Sequence, residues 1–290
     1  MSTTPVSPPQ RALVLGGGGS AGNAWLIGVI AGLSEGGLDV TEADLVIGTS
    51  AGASPTDLLA AILDAPAPQR IDPVRPDGRA ASWMNHLERT NAIIAASADL
   101  ADMRRRAGAH AIELAADAGD SARVRWRETV AARLPSREWP MHAVHITAVD
   151  ADTGDPVVLD RDGGIDLVDA VAASCAGGPA YRIGHRSYID GGYRRSSENA
   201  DLAAGCERVL VLSPLGGRTR HPAQWRSDLG AQIEELEAGG SAVEKVLPDG
   251  DSLSAFGDNM MSPATRAPTA RAGHAQGQRV AERLAGFWRT

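Results

Sequence analysis

The sequence predicts an α/β protein in which helices cover both faces of a mostly parallel central sheet. This prediction depends on a compact apolar strand over 11–15, a buried helix over 23–33 and a second apolar strand over 44–47. A further helix is predicted over 57–63. Strands and helices that alternate in this way are joined by right-handed crossovers, which gives a three-layer α/β/α arrangement.

Beyond these elements, the chain continues as short strands and helices around one long insert. Apolar residues recur at helical spacing among arginines and acids over about 82–134, which predicts a cap-like helical insert. The other predicted elements are strands over 142–149, 156–159, 181–183, 186–189 and 208–213, helices over 166–173, 201–205, 224–246 and 276–288, and a loop over 248–268. We expect residues 1–10 to form a flexible tail and residues 11–290 to form one domain.

The chain carries 28 basic and 36 acidic side chains, for a net charge of −8. This charge argues against nucleic acid as a partner, because non-specific affinity for DNA comes from cations that neutralise phosphates. Within the insert, however, residues 103–137 hold eight arginines against four acids. These arginines either contact an anionic or zwitterionic surface or form an ordinary solvated face on which their stems pack.

No segment has the pattern of a membrane span or of a signal peptide. The longest strongly apolar stretch, 24–33, is about half of the ~20 residues that a span needs. Residues 1–10 lack a cationic start followed by an apolar run. We therefore expect a cytoplasmic protein that contacts a membrane at most peripherally. Cys175 and Cys206 are too few for a disulfide framework, and we expect both to be buried, inert thiols.

A glycine-rich loop follows the first predicted strand. Residues 17–22 satisfy the pattern GxGxxG between a strand and a helix. Glycine amides at the positive end of a helix can approach a ligand oxygen with no Cβ in the way, so the loop predicts binding of an anion or oxyanion. The same pattern is found in dinucleotide-binding proteins. One alternative is therefore a dinucleotide-binding oxidoreductase, with Asp39 or Asp44 as the acceptor for the ribose.

The second predicted strand leads directly into a GxSxG sequence formed by Gly48, Ser50 and Gly52. Such a sequence places the serine on a tight turn after a strand, where its hydroxyl is exposed above the sheet as a nucleophile. Two neighbouring parallel strands would bring this turn and the glycine-rich loop to the same edge of the sheet, where open α/β folds bind their ligands.

A serine nucleophile needs a base. The order of the α/β-hydrolase triad does not fit, because Ser50 follows only the second strand, and the histidines after residue 190, His221 and His274, lie in apparent loops. Asp190 is the better candidate, since it ends a predicted strand and is followed by Gly191 and Gly192.

Three motifs thus occur in a fixed order: GGGxxG at 17–22, GxSxG at 48–52 and DGG at 190–192. In this order they resemble the motifs of the patatin-like phospholipase family. The resemblance also takes in Ala173-Ser174, Pro179, Asn199 and Ser213-Pro214, and it covers roughly residues 11–215. Three ordered motifs are much more specific than any one of them.

The resemblance implies an α/β fold that hydrolyses acyl esters of lipids with a serine–aspartate dyad and without a catalytic histidine. Carried over to this sequence, Ser50 would be the nucleophile and Asp190 the general base. The oxyanion hole would be formed by the amides of Gly17, Gly18 and Gly19, and the motifs would be supported by Gly22, Gly48, Gly52, Gly191 and Gly192. The implied partner is a lipid or ester substrate, and neither a cofactor nor a metal is implied.

Two residues depart from the family pattern. Ala21 stands where many members carry arginine or lysine, so the contact of that cation with an anion is missing. Pro55 predicts that the helix after Ser50 restarts near Ser54. A non-catalytic lipid-binding module is a further alternative, and the oligomeric state, acyl-chain length, head group and acceptor stay open.

Overall fold

The computed structural model describes residues 10–53, 76–134 and 136–289, with the backbone alone over 76–84. The predicted helix over 57–63 and the helix restart predicted at Pro55 lie outside the described residues, as does almost all of the predicted tail.

In the described part of the chain, eight strands form one sheet whose order is β5-β6-β3-β2-β1-β7-β8, with β4 paired to β3. The strands are β1 (Arg11–Leu15), β2 (Leu45–Gly48), β3 (Ala143–Asp150), β4 (Pro156–Leu159), β5 (Tyr181–Ile183), β6 (Arg186–Asp190), β7 (Arg208–Leu212) and β8 (Ala242–Val246). Neighbours in the run β3-β2-β1-β7-β8 are parallel, whereas β4, β5 and β6 pair antiparallel. The predicted mostly parallel sheet is confirmed.

Helices cover both faces of this sheet. They are α1 (Gly19–Glu35), α2 (Pro76–Ala95), α3 (Leu100–Ala118), α4 (Asp120–Ala131), α5 (Leu167–Ser174), α6 (Leu229–Ala238), α7 (Gly250–Phe256) and α8 (Arg266–Arg289). Successive residues of a strand point to opposite faces. Accordingly, Leu13 and Leu15 pack with α1 and α8, and Ala12 and Val14 pack with α6. The three-layer α/β/α class predicted from the sequence is therefore confirmed.

Several helices begin where an aspartate side chain accepts a hydrogen bond from a backbone N–H of the first turn, which satisfies a donor with no partner inside the helix. Asp99 does this for α3, Asp166 for α5, Asp228 for α6 and Asp249 for α7. The predicted insert is helical as α2, α3 and α4, and α3 packs on β3 and β6 through Met103.

The C-terminal part of the prediction needs correction. The helix predicted over 224–246 is wrong in its second half, because α6 ends at Ala238 and Ala242–Val246 form β8. β8 lies at the edge of the sheet, with one strand neighbour, and it carries charged residues. It therefore lacks the continuous apolar run that predicts the central strands. The loop predicted over 248–268 contains α7 and the start of α8, and the helix predicted over 201–205 is a short 3-10 turn over Ala200–Ala203.

Within the described ranges, none of the helices combines the length and hydropathy that crossing a bilayer requires.

The strand registers explain how distant motifs meet at one point of the sheet. β4 pairs along one edge of β3, over residues 146–149. On the other edge, β2 pairs with β3 up to Ile146, and β6 pairs with β3 from Ala148 onward. β6 therefore lies directly beyond the carboxyl end of β2 and runs toward it. Asp190, the partner of Ala148, comes to lie next to the turn that follows Gly48, the partner of Ile146.

Candidate active site

Ser50 lies on the tight turn at the carboxyl end of β2, as the GxSxG pattern predicts. Its φ is 50°, in the left-handed region that costs a non-glycine residue about 1–2 kcal/mol. Two contacts from the end of α5 hold this strained residue: its N–H donates to Ser174 Oγ at 2.9 Å, and its carbonyl accepts from Cys175 Sγ at 3.1 Å. Strain that surrounding contacts maintain is typical of functional positions.

The glycines on either side of Ser50 allow the backbone of this turn to pack closely against the sheet. A Cβ on Gly52 would overlap the carbonyl of Leu15 at the end of β1, and a Cβ on Gly48 would overlap the carbonyl of Gly52. The N–H of Thr49 also donates to the Leu15 carbonyl at 3.1 Å. The GxSxG pattern therefore reflects close backbone packing.

Asp190 ends β6, and its carboxylate interacts with the Ser50 side chain. Although the residue keeps some solvent-accessible surface, burial of the carboxyl group raises its pKa to about 6. Hydrogen bonds from the Gly192 N–H, at 2.8 Å, and from the Ser50 side chain act in the opposite direction, because they stabilise the charged form. The carboxylate is therefore mostly ionised at neutral pH and yet basic enough to accept a proton.

A buried group of three polar side chains joins the two halves of this site. Thr49, Thr147 and Asn199 are each fully buried. Asn199 Nδ2 donates to Thr49 Oγ1 at 3.1 Å and to the Gly191 carbonyl at 2.9 Å, and Thr147 Oγ1 donates to Thr49 Oγ1 at 2.9 Å. This group, here called the Asn199 knot, connects the residue before Ser50 to the residue after Asp190. A Cβ on Gly191 would overlap Thr147, so glycine is required there.

The glycine-rich loop lies against the same turn. A Cβ placed on Gly17 would come 3.5 Å from Ser50 Cβ. The Gly17 N–H, however, donates to the Ser197 carbonyl at 2.8 Å, which differs from the expectation that this amide binds an oxyanion. Gly18 caps the start of α1, and its carbonyl accepts the N–H of Gly22 at 2.9 Å. Among the described residues, the N–H groups of Gly18 and Gly19 have no acceptor.

Residues 13–204 match the family model of the patatin-like phospholipases, and this match covers more than half of the chain. The chain belongs to the patatin-like phospholipase family. No curated protein matches it at a significant level. The family is one of lipid acyl hydrolases, and the match spans all three motifs that carry the resemblance.

The histidines of this patatin-like protein that could have served as the base lie elsewhere. His221 Nδ1 contacts Ser227 Oγ at 2.9 Å, and burial lowers its pKa to about 4. His274 Nε2 lies 2.7 Å from Glu35 Oε2. Neither pairing involves Ser50. Across 10–53, 76–134 and 136–289, no group of three or more His, Cys, Asp or Glu side chains is arranged to hold a metal ion.

Residues that support the site were not all recognisable in the sequence. Ser174 and Asn199 belong to the family resemblance, but their contacts could not be read from it. Thr147 carries no local signal, since it is one of several alternating residues in β3. Cys206 is buried, as expected, whereas Cys175 keeps some solvent exposure. Desolvation of the Cys175 thiol, together with the nearby charge of Asp190, still raises its pKa to about 12.

Proposed function

We propose that this chain is a serine acyl hydrolase that cleaves carboxylic ester bonds of lipids with Ser50 as nucleophile and Asp190 as general base. The observation that carries the proposal is the strand register that brings Asp190 next to the Ser50 turn, where its carboxylate interacts with the Ser50 side chain and burial raises its pKa to about 6. Membership of a lipid acyl hydrolase family supports the choice of substrate.

In the proposed first step, Ser50 Oγ attacks the carbonyl carbon of the ester while Asp190 accepts its proton. The carbonyl oxygen becomes an oxyanion, which the N–H groups of Gly18 and Gly19 at the start of α1 would stabilise; the lack of an acceptor for these two donors among the described residues supports this role. Removing one such donor typically costs about 10²- to 10³-fold in rate. Collapse of this intermediate expels the alcohol, to which Asp190 returns the proton, and leaves an acyl group on Ser50.

In the second step, water attacks the acyl carbon and Asp190 takes one of its protons. The resulting oxyanion uses the same two amides. Its collapse breaks the bond to Ser50 Oγ, to which Asp190 returns the proton, and so releases the carboxylic acid and restores the Ser50 hydroxyl and the Asp190 carboxylate. The Asp190 carboxylate can accept the proton in both steps, because a general base is most efficient when its pKa is near the working pH. An aspartate at its ordinary value of about 3.9 would be a weak base for this purpose.

The geometry does not favour the dinucleotide-binding alternative. Asp39 and Asp44 precede β2 and so lie at the amino edge of the sheet, whereas the glycine-rich loop follows the carboxyl end of β1. Both carboxylates accept local backbone hydrogen bonds, Asp39 from Thr41 and Asp44 from Arg11. A ribose bound near the loop would be out of their reach.

The proposal is tested by labelling the protein with a fluorophosphonate probe. Wild-type protein should label, and Ser50→Ala should not. Ser254→Ala, which removes an exposed hydroxyl on α7, is the matched control and should label normally. Thermal unfolding of each variant verifies that it is folded. Labelling of folded Ser50→Ala to the wild-type level would refute the assignment, and absence of labelling in folded wild type would favour a non-catalytic lipid-binding module.

A further inference from the structure

We propose that Arg266 and Arg133 form a subsite, beside Ser50, that binds a negatively charged group of the ester substrate. This inference rests on the proposed function and adds a substrate preference to it. In the first turn of α1, residue 21 is a buried alanine, and its backbone N–H donates to the Met260 carbonyl at 2.8 Å. Position 21 therefore offers no charge to a ligand.

Arg266, at the start of α8, places a guanidinium next to this turn. Its Nη1 donates to the Ser20 carbonyl at 3.2 Å, and both terminal nitrogens donate to Asn23 Oδ1 at 3.2 Å. Asn23 Nδ2 in turn donates to the carbonyl of Ala51 at 3.0 Å. The guanidinium is thus connected to the residue after Gly19 and, through one side chain, to the residue after Ser50.

The charge of Arg266 is not neutralised by an ion pair. In the described part of the chain its hydrogen-bond acceptors are a carbonyl and an amide, and it forms no salt bridge. Burial and, second, the charge of Arg133 lower its pKa. A half-buried cation that lies near a second cation and has only neutral partners gains from binding an anion.

Arg133 supplies the second charge. Its side chain is exposed and makes no hydrogen bond or salt bridge with the described residues. It lies close enough to act electrostatically on Arg266 and on the thiol of Cys175, which itself contacts the Ser50 carbonyl. Arg266 is thus connected to the nucleophile turn from α8, and Arg133, in the segment after α4, adds a positive charge that acts on Arg266 and on Cys175. Arg106 and Arg127 of the insert, by contrast, are paired with aspartates.

An anionic head group held at these two arginines would place its ester near Ser50 through charge-assisted hydrogen bonds, which are stronger than neutral ones. A neutral ester of the same acyl chains would lack this contact. The subsite therefore predicts a preference for esters with a negatively charged alcohol part, expressed in kcat/KM.

The test compares two substrates with identical acyl chains, dioleoyl phosphatidylglycerol and dioleoylglycerol, each in Triton X-100 mixed micelles. Wild type should prefer the anionic ester. Arg266→Gln should lower kcat/KM for that ester about tenfold or more, as loss of a charged hydrogen bond implies, and leave the neutral ester within about twofold. Arg133→Gln should act in the same direction, and Arg271→Gln, an exposed change on the same helix, should do neither.

Thermal unfolding of every variant separates loss of folding from loss of the subsite. Because Arg133 has no partner within the described ranges, Arg133→Gln keeps the test decisive if Arg266→Gln does not fold. Equal effects on both esters, or no effect on either, would overturn the subsite while leaving the proposed function intact. If wild type cleaves neither ester, the subsite is overturned, whereas the proposed function is decided separately by fluorophosphonate labelling of Ser50.

Discussion

Replacing Asp190 by asparagine should remove hydrolysis and at the same time stabilise the fold above pH 6. Burial raises the pKa of this carboxyl from its ordinary 3.8 to about 6. The folded state therefore binds the proton more tightly than the unfolded state. The stability that this tighter proton binding contributes is fully present below about pH 4. It is lost as the pH rises through 6, by up to about 3 kcal/mol in the free energy of unfolding. Asparagine carries no charge at any of these pH values and avoids this cost.

The magnitude is an upper bound, because Asp190 as a residue keeps some solvent-accessible surface. We expect Asp190→Asn and wild type to differ most in free energy of unfolding at pH 8 and least at pH 4. Urea denaturation of both proteins at each pH unit between these limits measures the difference. Ser50→Ala is the control: it also removes hydrolysis but keeps the carboxyl group, so its stability should still fall with rising pH. Parallel curves for Asp190→Asn and wild type would refute the buried, proton-binding carboxyl.

Three further predictions concern the same site. The kcat/KM of wild type for a neutral ester should rise with pH to a plateau above about 6, because the ionised form of Asp190 is the base; a plateau that begins below pH 5 would contradict this. Asn199→Ala should destabilise the fold by about 2–4 kcal/mol in urea denaturation, since it leaves several buried groups without a hydrogen-bond donor. It should also lower kcat more than it changes KM; unchanged kcat would assign the Asn199 knot to folding alone. Gly52→Ala should cost at least about 2 kcal/mol by overlap with the Leu15 carbonyl, whereas Gly178→Ala, where a Cβ meets open space, should be neutral; equal costs would show that the turn can move away from β1.

The sequence was sufficient for the elements that carry a repeated local signal. β1, β2 and β7 are short apolar runs, and burial on both faces requires such runs in a parallel sheet. The edge strand β8 has no such run, and its sequence pattern predicts helix instead.

Contacts between distant segments could not be read from the sequence in the same way. The Asn199 knot joins residues 98 and 150 positions apart, and no local pattern records such a pairing. The same holds for the Gly17 N–H, whose partner Ser197 comes from a distant loop, and for Arg266, whose position beside Ser20 depends on how α8 packs on α1. Motifs show which residue types are present, but the packing decides which of their groups are free to act.

The absence of histidine from the proposed mechanism follows from this packing. A histidine has an ordinary pKa of about 6.5, whereas an aspartate in water is a far weaker base at about 3.9. Because β6 joins the edge of β3 just beyond β2, the Asp190 carboxyl is removed from most of the solvent, and its pKa moves to about 6. The N–H of Gly192 limits the shift and keeps the carboxylate ionised at neutral pH. Burial thus raises the pKa of an aspartate close to the ordinary pKa of a histidine. The folded state is less stable above pH 6 as a result, because it holds a buried negative charge.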